Sequence, residues 1–138
     1  MGIELYIQGY SEVGEGGLER GQVLEIFDLG DVTPDDFEFF PLIYDGETHC
    51  HLTVRGEGDI ATNICVHRPT GHPDLWQNLF TLLTTGPYVL FAPGGACPQM
   101  GQANIREWLP PDMVASLGEP VIVADAMTME STLFPTDL

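Results

Sequence analysis

Residues 39–55 constrain the fold more than any other stretch of this chain. Phe39 to Tyr44 and Glu47 to Arg55 are two strand-like runs separated only by Asp45-Gly46. Asp-Gly accepts the positive φ angles of a two-residue turn, so the pair reads as a β-hairpin. A second turn at Gly56-Glu57-Gly58-Asp59 leads into Ile60 to His67. Residues 39–67 are therefore expected to form a three-stranded antiparallel meander. A helix follows, opened by Pro73 and Asp74 and closed by Gly86, with Leu75, Trp76, Leu79, Phe80, Leu82 and Leu83 as its apolar stripe.

Around this unit the signals are shorter. Ile3, Leu5 and Ile7 alternate with Glu4, Tyr6 and Gln8, the period-2 pattern of a half-buried strand near 3–9. Further strands are expected near 87–92 and 120–124, with a short helix from Pro111 to Leu117 stopped by Gly118. Val23 to Leu29 fits a strand or a helix equally well. Thr33-Pro34-Asp35-Asp36 has the cap, proline and acids of a helix start. The segment after Met127 carries no pattern. With 138 residues and no linker or repeat, the chain reads as one α+β domain, 1–138.

Apolar alternation also sets an expected register for the last two meander strands, because a one-residue slip turns their buried faces apart. Cys50, Leu52 and Val54 then share a face with Ile60, Ile64 and Val66. The opposite face pairs His49 with His67 and His51 with Cys65. These four side chains form a nitrogen and sulfur set of the kind zinc takes tetrahedrally. The plain alternative is a polar sheet face, or histidines resting under the helix.

Charge bears on function. The chain has no lysine, and four arginines face 21 carboxylates, for a formal charge of -17. Direct phosphate contact depends on Lys and Arg, so nucleic-acid binding is disfavoured, and anionic membranes are disfavoured for the same reason. Residues 1–60 hold 14 carboxylates and two arginines, against seven and two in the remainder. The apolar fraction of 43% is that of a folded chain, so the acids are expected on a structured face. Cys50, Cys65 and Cys97, an odd set without a CxxC pair, read as reduced thiols of a cytoplasmic protein. The start Met1-Gly2-Ile3-Glu4 lacks the basic and apolar regions of a signal peptide.

Motifs for catalysis are sparse. Cys97 lies in Phe91-Ala92-Pro93-Gly94-Gly95-Ala96-Cys97-Pro98, after a predicted strand. These residues resemble the active-site loop of peroxiredoxins, a likeness that implies a reactive thiol. It departs from that pattern where Gly94 replaces Thr or Ser three residues before the cysteine. The Cys-x5-Arg spacing of phosphatases fails at Ala103. Gly14 to Gly21 carries glutamates that would repel phosphates, and no EF-hand spacing or GxSxG is present.

The sequence therefore points to a non-catalytic acidic binder of a basic protein, similar in character to the immunity proteins that neutralise nuclease-type bacterial toxins. Glu12, Glu15, Glu19, Asp28, Asp31, Asp35 and Asp36 are the expected contact acids, with Tyr10 and Phe37 as aromatic anchors. The alternative is a small thiol- or metal-dependent enzyme using Cys97 or the His49/His51/Cys65/His67 face.

Overall fold

A computed structural model of the protein describes residues 4–11, 14–16, 18–30, 32–33, 39–56, 58–61, 63–69, 72–92 and 97–133. In chain order these form β1 (Glu4–Ser11), β2 (Gly14–Gly16), β3 (Leu18–Glu19), α1 (Arg20–Ile26), β4 (Phe39–Tyr44), β5 (Glu47–Arg55), β6 (Ile60–Ala61), β7 (Asn63–His67), α2 (Pro73–Thr85), β8 (Tyr88–Phe91), β9 (Gln99–Met100), a 3-10 turn (Ala103–Trp108), α3 (Pro111–Leu117), β10 (Val121–Ile122) and α4 (Ala126–Leu133). The architecture is α+β, built on one mostly antiparallel sheet in the order β10-β9-β8-β1-β7-β5-β4.

The hairpin forms as expected, with Asp45 at φ 55 and Gly46 at φ 79. β4, β5 and β7 are consecutive antiparallel neighbours, the predicted meander. β1 then inserts between β7 and β8, so the first strand of the chain lies at the centre of the sheet. Its register sets Leu5 against Val66, which in turn faces Leu52. All three are fully buried, in one row of the main core.

Helix α2 covers that face with Leu75, Trp76, Leu79, Leu82 and Leu83, and α1 and α4 pack against it. Its start is capped by His72, whose Nδ1 accepts the Asp74 backbone N–H at 3.0 Å. Its end falls at the expected stop, with Gly86 as the C-cap. Gly86 is extended, at φ -158, and buried, and a Cβ there would fall 2.8 Å from the Tyr88 ring. Close approach, and no left-handed turn, requires that glycine.

Residues 20–29 form a helix and its exit. The Leu29 N–H reaches the Leu24 carbonyl at 2.7 Å and the Asp28 N–H reaches Glu25 at 3.0 Å. This is the Schellman pair of bonds, with Asp28 in the left-handed position at φ 58. The segment after Met127, read as unpatterned, begins with most of α4. Its first turn is capped by Asp125, whose Oδ1 accepts the Thr128 N–H at 2.9 Å. Met129 is buried in the main core. The suggested helix start at Thr33–Asp36 runs into residues outside the described set.

The second sheet face has two regions. At one end Tyr10, Val89, Met100, Ile105 and Leu109 make a smaller core under the 3-10 turn and α3. The other end carries the polar residues described next.

Candidate functional site

Register decides which side chains meet on that open end. Alternation gave the buried face of Cys50, Leu52, Val54, Ile64 and Val66 correctly, but Ile60 is exposed. His49 falls at a break in the β4–β5 register, against Tyr44 and His72. The pairing is offset by two residues, so that His51 faces His67 and Thr53 faces Cys65. The cause is β6. Ile60–Ala61 leave the expected third strand and pair with Leu18–Glu19 of β3, so the strand that pairs with β5 begins only at Asn63. The expected pairs His49 with His67 and His51 with Cys65 are corrected accordingly.

The fourth participant comes from β1. Glu4 faces His67, and Tyr6 faces Cys65. Two rows of side chains therefore cross the sheet, Glu4–His67–His51 and Phe91–Tyr6–Cys65–Thr53–Phe39. Between the rows, the Cys65 Sγ–H donates to Glu4 Oε2 at 3.4 Å, and Sγ lies 3.9 Å from His67 Nδ1. His67 Nδ1 stands 3.8 Å from Glu4 Oε1. Around these three, the Tyr6 hydroxyl donates to Glu4 Oε2 at 2.8 Å, and Thr53 Oγ1 is 3.1 Å from His67 Nε2. Phe39 packs its ring edge-on to His67, with centroids 4.8 Å apart. Tyr6 stacks on Phe91.

This network polarises its members. Hydrogen bonds from Tyr6 and then Cys65 hold the Glu4 carboxyl below the usual carboxylate range, and the same bond raises the Tyr6 phenol. Burial pushes the Cys65 thiol up to about 12, and the bond to Glu4 with its negative charge adds to the rise. Cys65 is thus a protonated donor and a poor nucleophile. An open concavity of about 620 Å³ adjoins the cluster, lined in part by Glu4, Phe39, His49, His51, His67 and Arg68.

A second polar group sits at the hairpin turn. His72 Nε2 lies 2.7 Å from Asp45 Oδ2, and Nδ1 lies 3.9 Å from Asp74 Oδ2. Because Nδ1 accepts the Asp74 N–H, the ring proton is on Nε2 and donates to Asp45. Stacking on Tyr44 completes a helix cap in which both ring nitrogens are already engaged. His49 lies edge-on to His72. Burial pushes the Tyr44 phenol up to about 12, while its oxygen accepts from Asn78 at 3.1 Å.

The residues expected to contact a partner fall into three groups. Glu19 and Asp28 are exposed and flank α1, with exposed Glu25 between them. Glu12, Asp31, Asp35, Asp36 and Phe37 lie outside the described residues, and for Glu15 only the backbone, paired with Tyr10 across β1 and β2, is described. Tyr10 is not a surface anchor: it is 5% exposed and sits in the smaller core, its hydroxyl 3.3 Å from Met113 Sδ. Alternation placed it on the polar side of β1, but that side is itself covered at this end of the sheet. Cys97 is half-buried, and residues 93–96 of its loop lie outside the described set. Glu4 escaped the sequence reading, because nothing local says that β1 inserts beside β7.

No protein-family model, curated protein or solved structure matches the chain. Among the described residues no helix is long and apolar enough to cross a membrane.

Proposed function

We propose that the protein is a non-catalytic acidic binder that neutralises a basic protein, most simply as an immunity protein against a nuclease-type toxin, in a reducing, cytoplasm-like compartment. The observation that carries this reading is the surplus of carboxylates over cations, -17 without a single lysine. Arg20 and Arg106 are engaged within the fold. Arg20 donates to the carbonyls of Val54, Gly56 and Gly58, each at 2.9 Å, and Arg106 is paired with Glu119. Outside Glu4 and Glu130, the carboxylates whose side chains are described are exposed.

The acids of α1 support the reading further. Glu25 and Asp28 stand at the carboxyl end of the helix, where the dipole disfavours negative charge and no basic residue compensates. Helix stability does not account for them, and docking of a cationic partner is the reading they support. Carboxylates lodged in a cationic cleft exclude its phosphate substrate and accelerate encounter.

The test uses the purified product of the adjacent reading frame as the binding probe, followed by stopped-flow association at several salt concentrations. The triple variant Glu19→Lys/Glu25→Lys/Asp28→Lys is expected to associate at least tenfold more slowly, with a flatter salt dependence. An unchanged rate and slope would remove α1 from the interface, and absence of any binding would remove the proposed partner.

A further inference from the structure

We infer that Glu4, Cys65 and His67 form a binding site for a divalent transition metal of the zinc class, with one coordination position open toward the concavity. The inference is independent of the docking reading. Its basis is the mutual placement of three donors of different chemistry. In a tetrahedral zinc site with bonds of about 2.3 Å to sulfur and about 2.0–2.1 Å to nitrogen and oxygen, neighbouring donor atoms stand about 3.3–3.6 Å apart. The sulfur lies 3.4 Å from Glu4 Oε2 and 3.9 Å from His67 Nδ1, His67 Nδ1 lies 3.8 Å from the other carboxylate oxygen, Oε1, and one donor atom from each residue lies within 4.8 Å of the other two. Closing on an ion needs side-chain adjustment only, and the backbone of the two adjacent, hydrogen-bonded strands β1 and β7 stays in place.

The supporting groups fit the same assignment. A metal on His67 Nδ1 requires the ring proton on Nε2, and Thr53 Oγ1 is positioned at 3.1 Å to accept it. The Tyr6 hydroxyl fixes Glu4 by its Oε2 at 2.8 Å. Outer contacts of this type are what orient metal ligands. Loss of the Cys65 proton leaves a thiolate and a carboxylate, two negative charges that a divalent cation offsets in full. Glu4 and His67 line the concavity while Cys65 is buried beneath them, so the open position faces solvent and a water molecule suffices as fourth ligand. The other grouping of acids and histidine, Asp45, His72 and Asp74, lacks this freedom, because both nitrogens of His72 are engaged in the cap of α2.

Cobalt(II) titration of the full, untagged chain, prepared metal-free under reducing conditions, tests the site. One Co²⁺ per chain is expected, with a thiolate charge-transfer band in the near ultraviolet that Zn²⁺ abolishes by displacement. Cys65→Ser removes the band. Glu4→Gln, a half-exposed and isosteric change, weakens binding roughly tenfold or more, and Thr53→Val weakens it roughly 10–100-fold through the outer contact. Asp45→Asn leaves binding unchanged. Far-ultraviolet circular dichroism establishes that each variant is folded, and Glu4→Gln decides the matter if Cys65→Ser is not. A folded wild-type chain without the band, a band that survives Cys65→Ser, or Co²⁺ binding unaltered in Glu4→Gln overturns the assignment.

Discussion

Arg20 offers the sharpest test of how this chain holds its sheet together. Its guanidinium donates from Nε to Gly58 and from the two terminal nitrogens to Val54 and Gly56, three carbonyls around the turn that ends β5. Gly56 and Gly58 have positive φ angles, so the turn aims these carbonyls away from the ladder and toward one planar donor. Hydrogen bonds to charged groups contribute about 1.5–3 kcal/mol each when shielded and less at the surface. The bond to Val54 is partly buried and the other two are exposed. A total of about 2–4 kcal/mol follows for Arg20→Met, a large fraction of the roughly 5–15 kcal/mol by which domains are stable. With a urea dependence of about 2 kcal/mol per molar, the unfolding midpoint should fall by about 1–2 M. Arg20→Lys separates geometry from charge, since a single ammonium cannot satisfy three divergent carbonyls. It should lose more than half of what Arg20→Met loses. Equal stability of Arg20→Lys and the wild type would show that charge alone matters and refute the clamp.

Two further outcomes can be checked together. Cys65 and Tyr44 both carry folded-state pKa values raised to about 12, above their unfolded values, so their contribution is intact below pH 9 and is lost as pH rises toward 12. Unfolding free energy should fall with pH over 9–12 for Cys65 and 10–12 for Tyr44, each by at most about 1.4 kcal/mol per pH unit, and Tyr44→Phe should flatten the upper part of a urea-midpoint profile; an unchanged profile contradicts the assignment. Asp28→Gly should stabilise the fold by about 0.5–1 kcal/mol, because glycine suits the left-handed position and removes a charge opposed by the helix dipole, while it weakens association with the basic partner. A Tm that falls would refute the reading of this helix exit.

How far the sequence predicts this structure depends on the range of the interaction concerned. The Asp45-Gly46 turn and the stripe of α2 are local, and both appear where expected. Face parity in the meander is also local, since β-branched and apolar residues alternate with polar ones. Register is not, because a shift of two residues preserves parity. It is set by the pairing of Ile60–Ala61 with Leu18–Glu19, about 40 residues upstream. The same distance hides Glu4, which joins Cys65 and His67 only because β1 lies beside β7. Tyr10 illustrates the converse error: alternation gave its face correctly, yet a 3-10 turn and α3, contributed by residues 103–117, cover that face. The start of α4 was within reach, since Asp125 followed by Thr128 is a cap pattern.

The two proposed sites sit on opposite sides of one sheet, and that separation gives them independent consequences. α1, with Glu19, Glu25 and Asp28, packs with α2 on the face that holds the main core. Glu4, Cys65 and His67 lie on the other face of the sheet. Changes at sites this far apart with no shared partners combine additively, apart from the long-range field. That field is itself informative: a surface of -17 concentrates cations of every kind, a basic protein and a divalent metal alike, and salt screens it over about 8–10 Å. Specificity must then come from geometry. For the metal it is the arrangement of a carboxylate, a thiol and an imidazole across two paired strands; for the protein partner it is acids placed where the helix itself disfavours them. Residual coupling between the sites that vanishes at high salt belongs to the field, and coupling that persists would mean the sheet transmits strain between its faces.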